Sequence, residues 1–216
     1  MDRSLSGRPV LNRQGKRTRE AILNAAEELF GQGSFDSVST RDIAEGADVL
    51  LGVVGYHFKS KEALFRAVAA RRADEVNRVR LDRLNALEDP TVEEIIDAFV
   101  RPALELHSQP DWRHYMNIVT QIAHEKRWRA LDSDLFLENA LVFLSALKRA
   151  LPESDPERIR VGLLHGISVL ISVLGGGTAR LNHLGRGEQG PDVRVSGVDD
   201  IVSFVASGIL AVAHAK

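Results

Sequence analysis

The chain has 216 residues, 44% of them hydrophobic and 27% charged, with no cysteine and a formal net charge of −2. Such a composition suits a globular chain with a real apolar core, arranged as one large domain or two small ones. It excludes a disulfide framework and any Cys-ligated metal site, and it fits a reducing cytoplasm.

The N-terminal stretch MDRSLSGRPVLNRQGKRTRE is charged and lacks an apolar h-region, so it does not read as a secretory signal. Residues 1–19 carry six Lys/Arg (Arg3, Arg8, Arg13, Lys16, Arg17, Arg19) against one acid, Asp2. Residues 1–72 hold 12 basic and 9 acidic side chains, and the remainder 16 and 21. A basic end on an acidic body suits a single anion-binding face, although a solvated basic tail shows the same charges. A flexible basic arm is expected over residues 1–14.

Arg17–Phe30 places Ile22, Ala25, Ala26, Leu29 and Phe30 on one helical face. Gly31 and Gly33 are expected to stop this helix in left-handed conformations. Ser39 reads as an N-cap with Asp42 completing a capping box. In the short helix that follows, Ile43, Ala44 and Ala47 form the inner face, and small alanines allow a second helix to cross closely. Asp48 sits in the turn, where positive φ is wanted and Asp tolerates it better than most residues. Val49 and Val54 can fill the space between the two short helices. Ser60 caps a long helix from Lys61 to about Leu87, ended by Asp89-Pro90.

Thr91 caps an expected helix over Val92–His107, striped by Ile95, Ile96, Phe99, Ala103, Leu104 and Leu106 and interrupted by Pro102, which should kink or split it. Asp111 is expected to cap a helix from Trp112 to about Ala130, and Asp134 another over Leu135–Leu151. Asp155-Pro156 opens Glu157–Leu174 with proline at its favoured first position. The glycine-rich stretch 175–197 reads as a mobile loop, and a last helix covers about Val198–His214. No run alternates at period two. The longest strongly apolar run, Ile167–Leu174, is far shorter than the ~20 residues of a membrane span. The class is all-α, with about nine helices.

Ser39–Phe65 carries the most specific signal. Thr40-Arg41-Asp42-Ile43-Ala44, Ala47-x-Val49, Gly52 and Tyr56-His57-Phe58-Lys59-Ser60-Lys61-Glu62-x-Leu64 resemble the TetR family of bacterial transcriptional regulators. The likeness is specific over Arg17–Ala70 and only architectural beyond. It implies a helix-turn-helix DNA-binding domain over 15–72 and a helical effector-binding and dimerisation domain over 73–216.

By this resemblance the second short helix enters the major groove. Thr40 and Arg41 start the support helix near DNA, Tyr56 and His57 face the groove or phosphates, and Lys61 meets a phosphate. A helix N-terminus with free N–H groups favours anions independently of the resemblance. Arg17 joins this set from the first helix. Asp48 replaces the family's turn glycine, and Leu50, Val53 and Gly55 stand where polar residues are usual. The reading face Leu51, Gly52, Val53, Gly55 is therefore poor in donors. Base readout is expected to rest on Arg41, methyl contacts from Val53 or Leu51, and close backbone approach at Gly52 and Gly55. Leu50 and Phe58 are expected to pack.

The resemblance also implies a homodimer on a (pseudo)palindromic double-stranded operator. Its interface is expected from Gly162, Gly166, Leu170, Val202, Val205 and Ile209, although the same two helices could simply pair as the interior of one monomer. A largely apolar effector is expected among Phe99, Trp112, Tyr115, Met116, Val119, Phe143 and His165, although plain core packing explains the same residues. The expectation is a cytoplasmic repressor released by its effector through a shift of the helix from Lys61. An effector-independent regulator or activator remains open, as does a helical small-molecule-binding or scaffold protein with a vestigial helix-turn-helix. No GxSxG, Walker loop or zincin pair occurs, the seven His are dispersed, and neither an enzyme, a metal nor a cofactor is expected.

Overall fold

Local capping chemistry decides several of the helix starts in the computed structural model, which describes residues 13–176 and 197–215. The elements are α1 (Arg13–Gln32), α2 (Thr40–Gly46), α3 (Leu51–His57), α4 (Lys61–Asn85), α5 (Val92–His107) and α6 (Pro110–His124). A 3₁₀ turn (Lys126–Trp128), α7 (Arg129–Asp132), a π-helical segment (Ser133–Leu137), α8 (Glu138–Ala150), α9 (Pro156–Leu174) and α10 (Val198–Ala213) follow. Among the described residues there is no strand, and the fold is all-α. None of their helices is long and apolar enough to cross a membrane. Residues 1–12 of the expected arm and 177–196 of the expected loop lie outside the described residues. Arg13 and Gln14, assigned to the arm by sequence, already belong to α1.

Two compact units divide between Val68 and Ala69. In the first, Ile22, Leu23, Ala26 and Phe30 of α1 are buried with Ile43, Ala44, Val54, Phe58, Leu64 and Phe65. Phe65 meets Phe30 and Phe35 edge-on with centroids 5.1 and 5.3 Å apart, and Phe30 and Phe35 stack at 6.0 Å, arrangements that add attraction beyond burial. Gly31 is buried inside α1, and neither it nor Gly33 has the left-handed φ expected of it. The helix closes instead through an ordinary bond from Gly33 N–H to Leu29 O at 2.9 Å.

In the second unit α10 packs against both α9 and α5. A Cβ on Gly162 would lie 3.2 Å from Ile209 Cα, and one on Gly166 would lie 2.7 Å from Val205 Cγ1. The glycines therefore serve a close α9–α10 crossing. α5 runs through Pro102 without splitting. Asp111 and Asp134 are not caps. Gln109 occupies the N-cap of α6, with Pro110 at its first turn. The backbone stays helical from α7 through the π-helical segment into α8, so Asp134 lies inside that segment. The single helix expected to about Ala130 instead ends at His124 and is followed by the 3₁₀ turn.

Candidate functional site

The helix-turn-helix is built from the cap outward. Asp42 N–H donates to Ser39 Oγ at 3.1 Å, and Ser39 N–H donates to Asp42 Oδ2 at 2.8 Å. These bonds satisfy two donors that a helix start leaves open. The Ser39 bonds hold the Asp42 carboxyl below its ordinary range. At the turn, Asp48 takes a φ of 52°, and Val49 N–H reaches back to Ala44 O at 3.0 Å. Val54 faces the core. Its neighbours on α3 must then face outward, because seven residues make barely two turns.

That outward face is Leu51, Gly52, Gly55 and Tyr56, with Val53 and His57 half-buried beside it. Tyr56 is 76% exposed, and its ring meets His57 edge-on at 5.2 Å. Arg41 and Arg17 are exposed and Thr40 is half-buried. Leu50, expected to pack, is 80% exposed instead. It is the N-cap of α3 and makes no side-chain cap bond, so its side chain is available to a partner. Phe58 is buried, with the Arg19 guanidinium 5.2 Å from its ring centre.

Lys61 needs a revised role. Its ammonium turns inward, donating to Phe35 O at 2.8 Å and Val38 O at 2.9 Å, and lies 4.3 Å from the Phe35 ring centre. The side chain thus fastens the loop before α2, and a phosphate contact would fall to the main-chain N–H at the start of α4. The sequence carries no local signal for this, since the acceptors lie 26 and 23 residues upstream.

A Cβ added at Gly52 or Gly55 would meet nothing within 4 Å. Neither glycine is required by packing, yet each costs helix stability. Gly55→Ala is therefore expected to raise stability by about 0.5–1 kcal/mol in chemical denaturation while weakening DNA binding in a fluorescence-anisotropy titration. Unchanged DNA affinity would remove the close-approach role.

The second unit holds a cavity of about 490 Å³, within the range of small-molecule sites. Phe99, Tyr115, Met116 and Val119, four of the residues named from sequence as effector-site candidates, line it. Trp112, Phe143 and His165 are not in the lining. Trp112 packs edge-on to Tyr115 with centroids 5.7 Å apart, beneath the Arg72 guanidinium. Phe143 meets Phe99 at 5.0 Å, and His165 is exposed on α9. The π-helical segment contributes Ser133, Phe136 and Leu137 to the wall. A π turn displaces side chains from the regular helical register, and such turns recur at functional sites.

Sequence reading missed Arg80, which is buried in the wall, and Asp132. The available signal for Arg80 was its place at helical spacing between Val76 and Leu84, on the inner stripe of α4. Burial raises the Asp132 carboxyl above its ordinary range. A carboxyl raised on folding binds more protons in the folded than the unfolded state, so stability rises as pH falls through the folded value and is lowered above it. Asp132→Asn should therefore raise the melting temperature at pH 7 and flatten the profile toward acid, as thermal denaturation across pH would read.

The interface residues named from sequence also need correction. Gly162, Gly166, Leu170, Val202, Val205 and Ile209 are all buried within one chain. Exposed positions include Leu164, His165 and Ser168 of α9, of which Leu164 and Ser168 also line the cavity, and Phe204, Ser207, Gly208 and Ala211 of α10. Phe204 is 66% exposed and Leu164 47%. Among the described residues no group of His, Cys, Asp and Glu could hold a metal.

Two family matches agree with this division. Residues 22–68 match bacterial regulatory proteins of the tetR family, and residues 97–208 match the tetracyclin repressor-like C-terminal domain. The transcriptional regulator UidR of Escherichia coli K12 is 43% identical over 51 residues, covering 24% of this chain and 26% of that protein. AcrR of Shigella flexneri is 38% identical over 55 residues, covering 26% of each. The chain thus spans about a quarter of the length of these relatives. The fold is also that of the fatty acid degradation regulator FadR from Bacillus halodurans, at TM-score 0.65 and 13% identity over 91% of this chain and 95% of that one. Mycobacterium smegmatis AmtR superposes at TM-score 0.57 and 20% identity, over 97% and 89% of the two chains. With more than half its length matched, the chain belongs to the TetR family of bacterial transcriptional regulators.

Proposed function

We propose that the protein is a homodimeric repressor that binds a two-fold DNA operator through α3 and Arg41 and leaves it when a small molecule fills the cavity. The observation that carries the reading is an exposed face of α3 on which packing requires neither Gly52 nor Gly55, in a chain whose second unit holds a ligand-sized cavity. One helix serves both ends. α4 begins at Lys61 and supplies Val76 and Arg80 to the cavity wall.

Asn77 adds a second attachment to that wall. Its amide donates to Leu135 O of the π-helical segment at 2.7 Å, and Asn139 Nδ2 donates to Asn77 O at 3.2 Å. A ligand that moves the π-helical segment would move α4 through these bonds. The ligand acts only through its different affinities for the DNA-bound and released forms. Dimerisation is assigned to the exposed face of α10 at Phe204, Gly208 and Ala211, because Gly162, Gly166, Val205 and Ile209 are used within the chain.

Sequences selected from a random DNA pool should contain an inverted repeat, and binding to it should weaken steeply as salt rises. Compounds that stabilise the protein thermally should lower its affinity for the selected operator. Ligands that bind the second unit yet never alter operator affinity would instead support an effector-independent regulator.

A further inference from the structure

We propose that the cavity takes an organic monocarboxylate with an apolar body, and that the Arg80 guanidinium binds its anionic head. This inference deepens the effector reading above and rests on the cavity being a ligand site.

Arg80 is only 6% exposed and forms part of the cavity wall. Its Nε donates to Phe99 O at 2.8 Å, and the guanidinium carbon lies 4.2 Å from the Phe99 ring centre. These contacts position the group and leave its charge unmatched. Arginine has five N–H donors, and the Nε bond uses one of them. Among the described residues no carboxylate pairs with Arg80 and no acceptor meets its Nη edge. Arg80 lines the cavity, and its Nη edge is not among the sealed, unpartnered polar atoms of the described residues. Burial lowers the guanidinium to about 10, which still leaves it charged at neutral pH.

A buried cation without a partner is costly, and removing it would cost the protein only one carbonyl contact and one ring contact. An anion delivered by a ligand recovers that cost through paired charge-assisted N–H···O bonds. The lining also limits the anion's charge. Arg80 is the one Lys or Arg among the lining residues, joined by His124, and Asp132 is the one carboxylate. Among the described residues no ion pair joins Asp132 to Arg80. Tyr115 directs its hydroxyl to Ala69 O at 3.2 Å. One committed cation suits a single negative charge, whereas a phosphate ester would bring nearly two. Val76, Phe99, Met116, Val119, Ile167 and Ile171 give the rest of the ligand an apolar surround.

The test uses one chain length with three heads. Decanoate, decanol and decyltrimethylammonium, below their micellar concentrations, are titrated into the full-length protein without DNA by calorimetry, alongside phenylbutyrate and phenylbutanol. At least one carboxylate should bind about tenfold or more tighter than its alcohol. Arg80→Met should abolish that preference while keeping the alcohol's affinity, and Arg80→Lys should restore part of it. Circular dichroism of each variant checks folding. If Arg80→Met fails to fold, the Arg80→Lys variant and the wild-type head-group comparison still decide.

Equal affinity for carboxylate and alcohol, tighter binding of the ammonium, binding of neither carboxylate, or a preference surviving Arg80→Met would each overturn the proposal. Operator affinity is measured separately by anisotropy. A carboxylate that binds through Arg80 but leaves operator affinity unchanged refutes release by effector and leaves the anion site standing.

Discussion

Phe204→Asp is expected to turn the proposed homodimer into a monomer and to cut operator affinity with it. Phe204 lies on α10 at 66% exposure. It falls in line with Gly208, over which nothing lies within 4 Å of an added Cβ. An isologous interface uses the same patch twice. Burying a phenylalanine contributes about 1.5–3 kcal/mol per copy, hence about 3–6 kcal/mol per dimer, or roughly a hundred- to ten-thousandfold in dissociation constant. An aspartate there adds the cost of placing two carboxylates in an apolar contact. Because the side chain is exposed within one chain, helicity should be unchanged. Sedimentation across a concentration series reads the outcome, and a variant that dimerises as tightly as the parent would place the interface elsewhere.

The same helix pair shows where sequence reading reaches its limit. Caps are legible because their chemistry is local: Ser39 with Asp42, Thr91 with Glu94, and Asp155 accepting from Glu157 N–H lie within three residues of their partners. Asp48 was legible for the same reason, since a helix-turn-helix turn demands positive φ whatever surrounds it. Faces are another matter. Gly162 and Gly166 advertise a close helix approach, but nothing in their spacing says whether the partner is α10 of the same chain or of a second copy. The structure assigns them to Ile209 and Val205 within the chain.

Asp134 had the residue type of a cap and a helix downstream. It became part of a π-helical segment because α7 continues into α8 with no break to cap. The role of Lys61 and the partner of Arg80 were opaque because Phe35 O, Val38 O and Phe99 O are distant carbonyls. Any residue type supplies a carbonyl, so such partners leave no trace in the sequence.

Arg41→Ala bears on how a donor-poor helix reads DNA. With Leu51, Gly52, Val53 and Gly55 presenting methyl groups and bare backbone, α3 offers van der Waals contact and shape but few base-specific hydrogen bonds. Arg41 is exposed on α2, and its guanidinium is well suited to guanine O6 and N7. Its removal should cost about 1–3 kcal/mol at one base pair of each half-site and leave other positions unaffected. Binding selections with the variant would then lose one guanine from each half of the operator while keeping the half-site spacing.

A phosphate role predicts something different. Affinity would fall equally on every sequence, and the dependence of log K on log salt would become shallower by about one contact per subunit. Tyr56 and His57, beside one another at the end of α3, provide the internal comparison. If they position the backbone, their alanine variants should weaken all sequences alike, so that only Arg41→Ala changes the selected sequence.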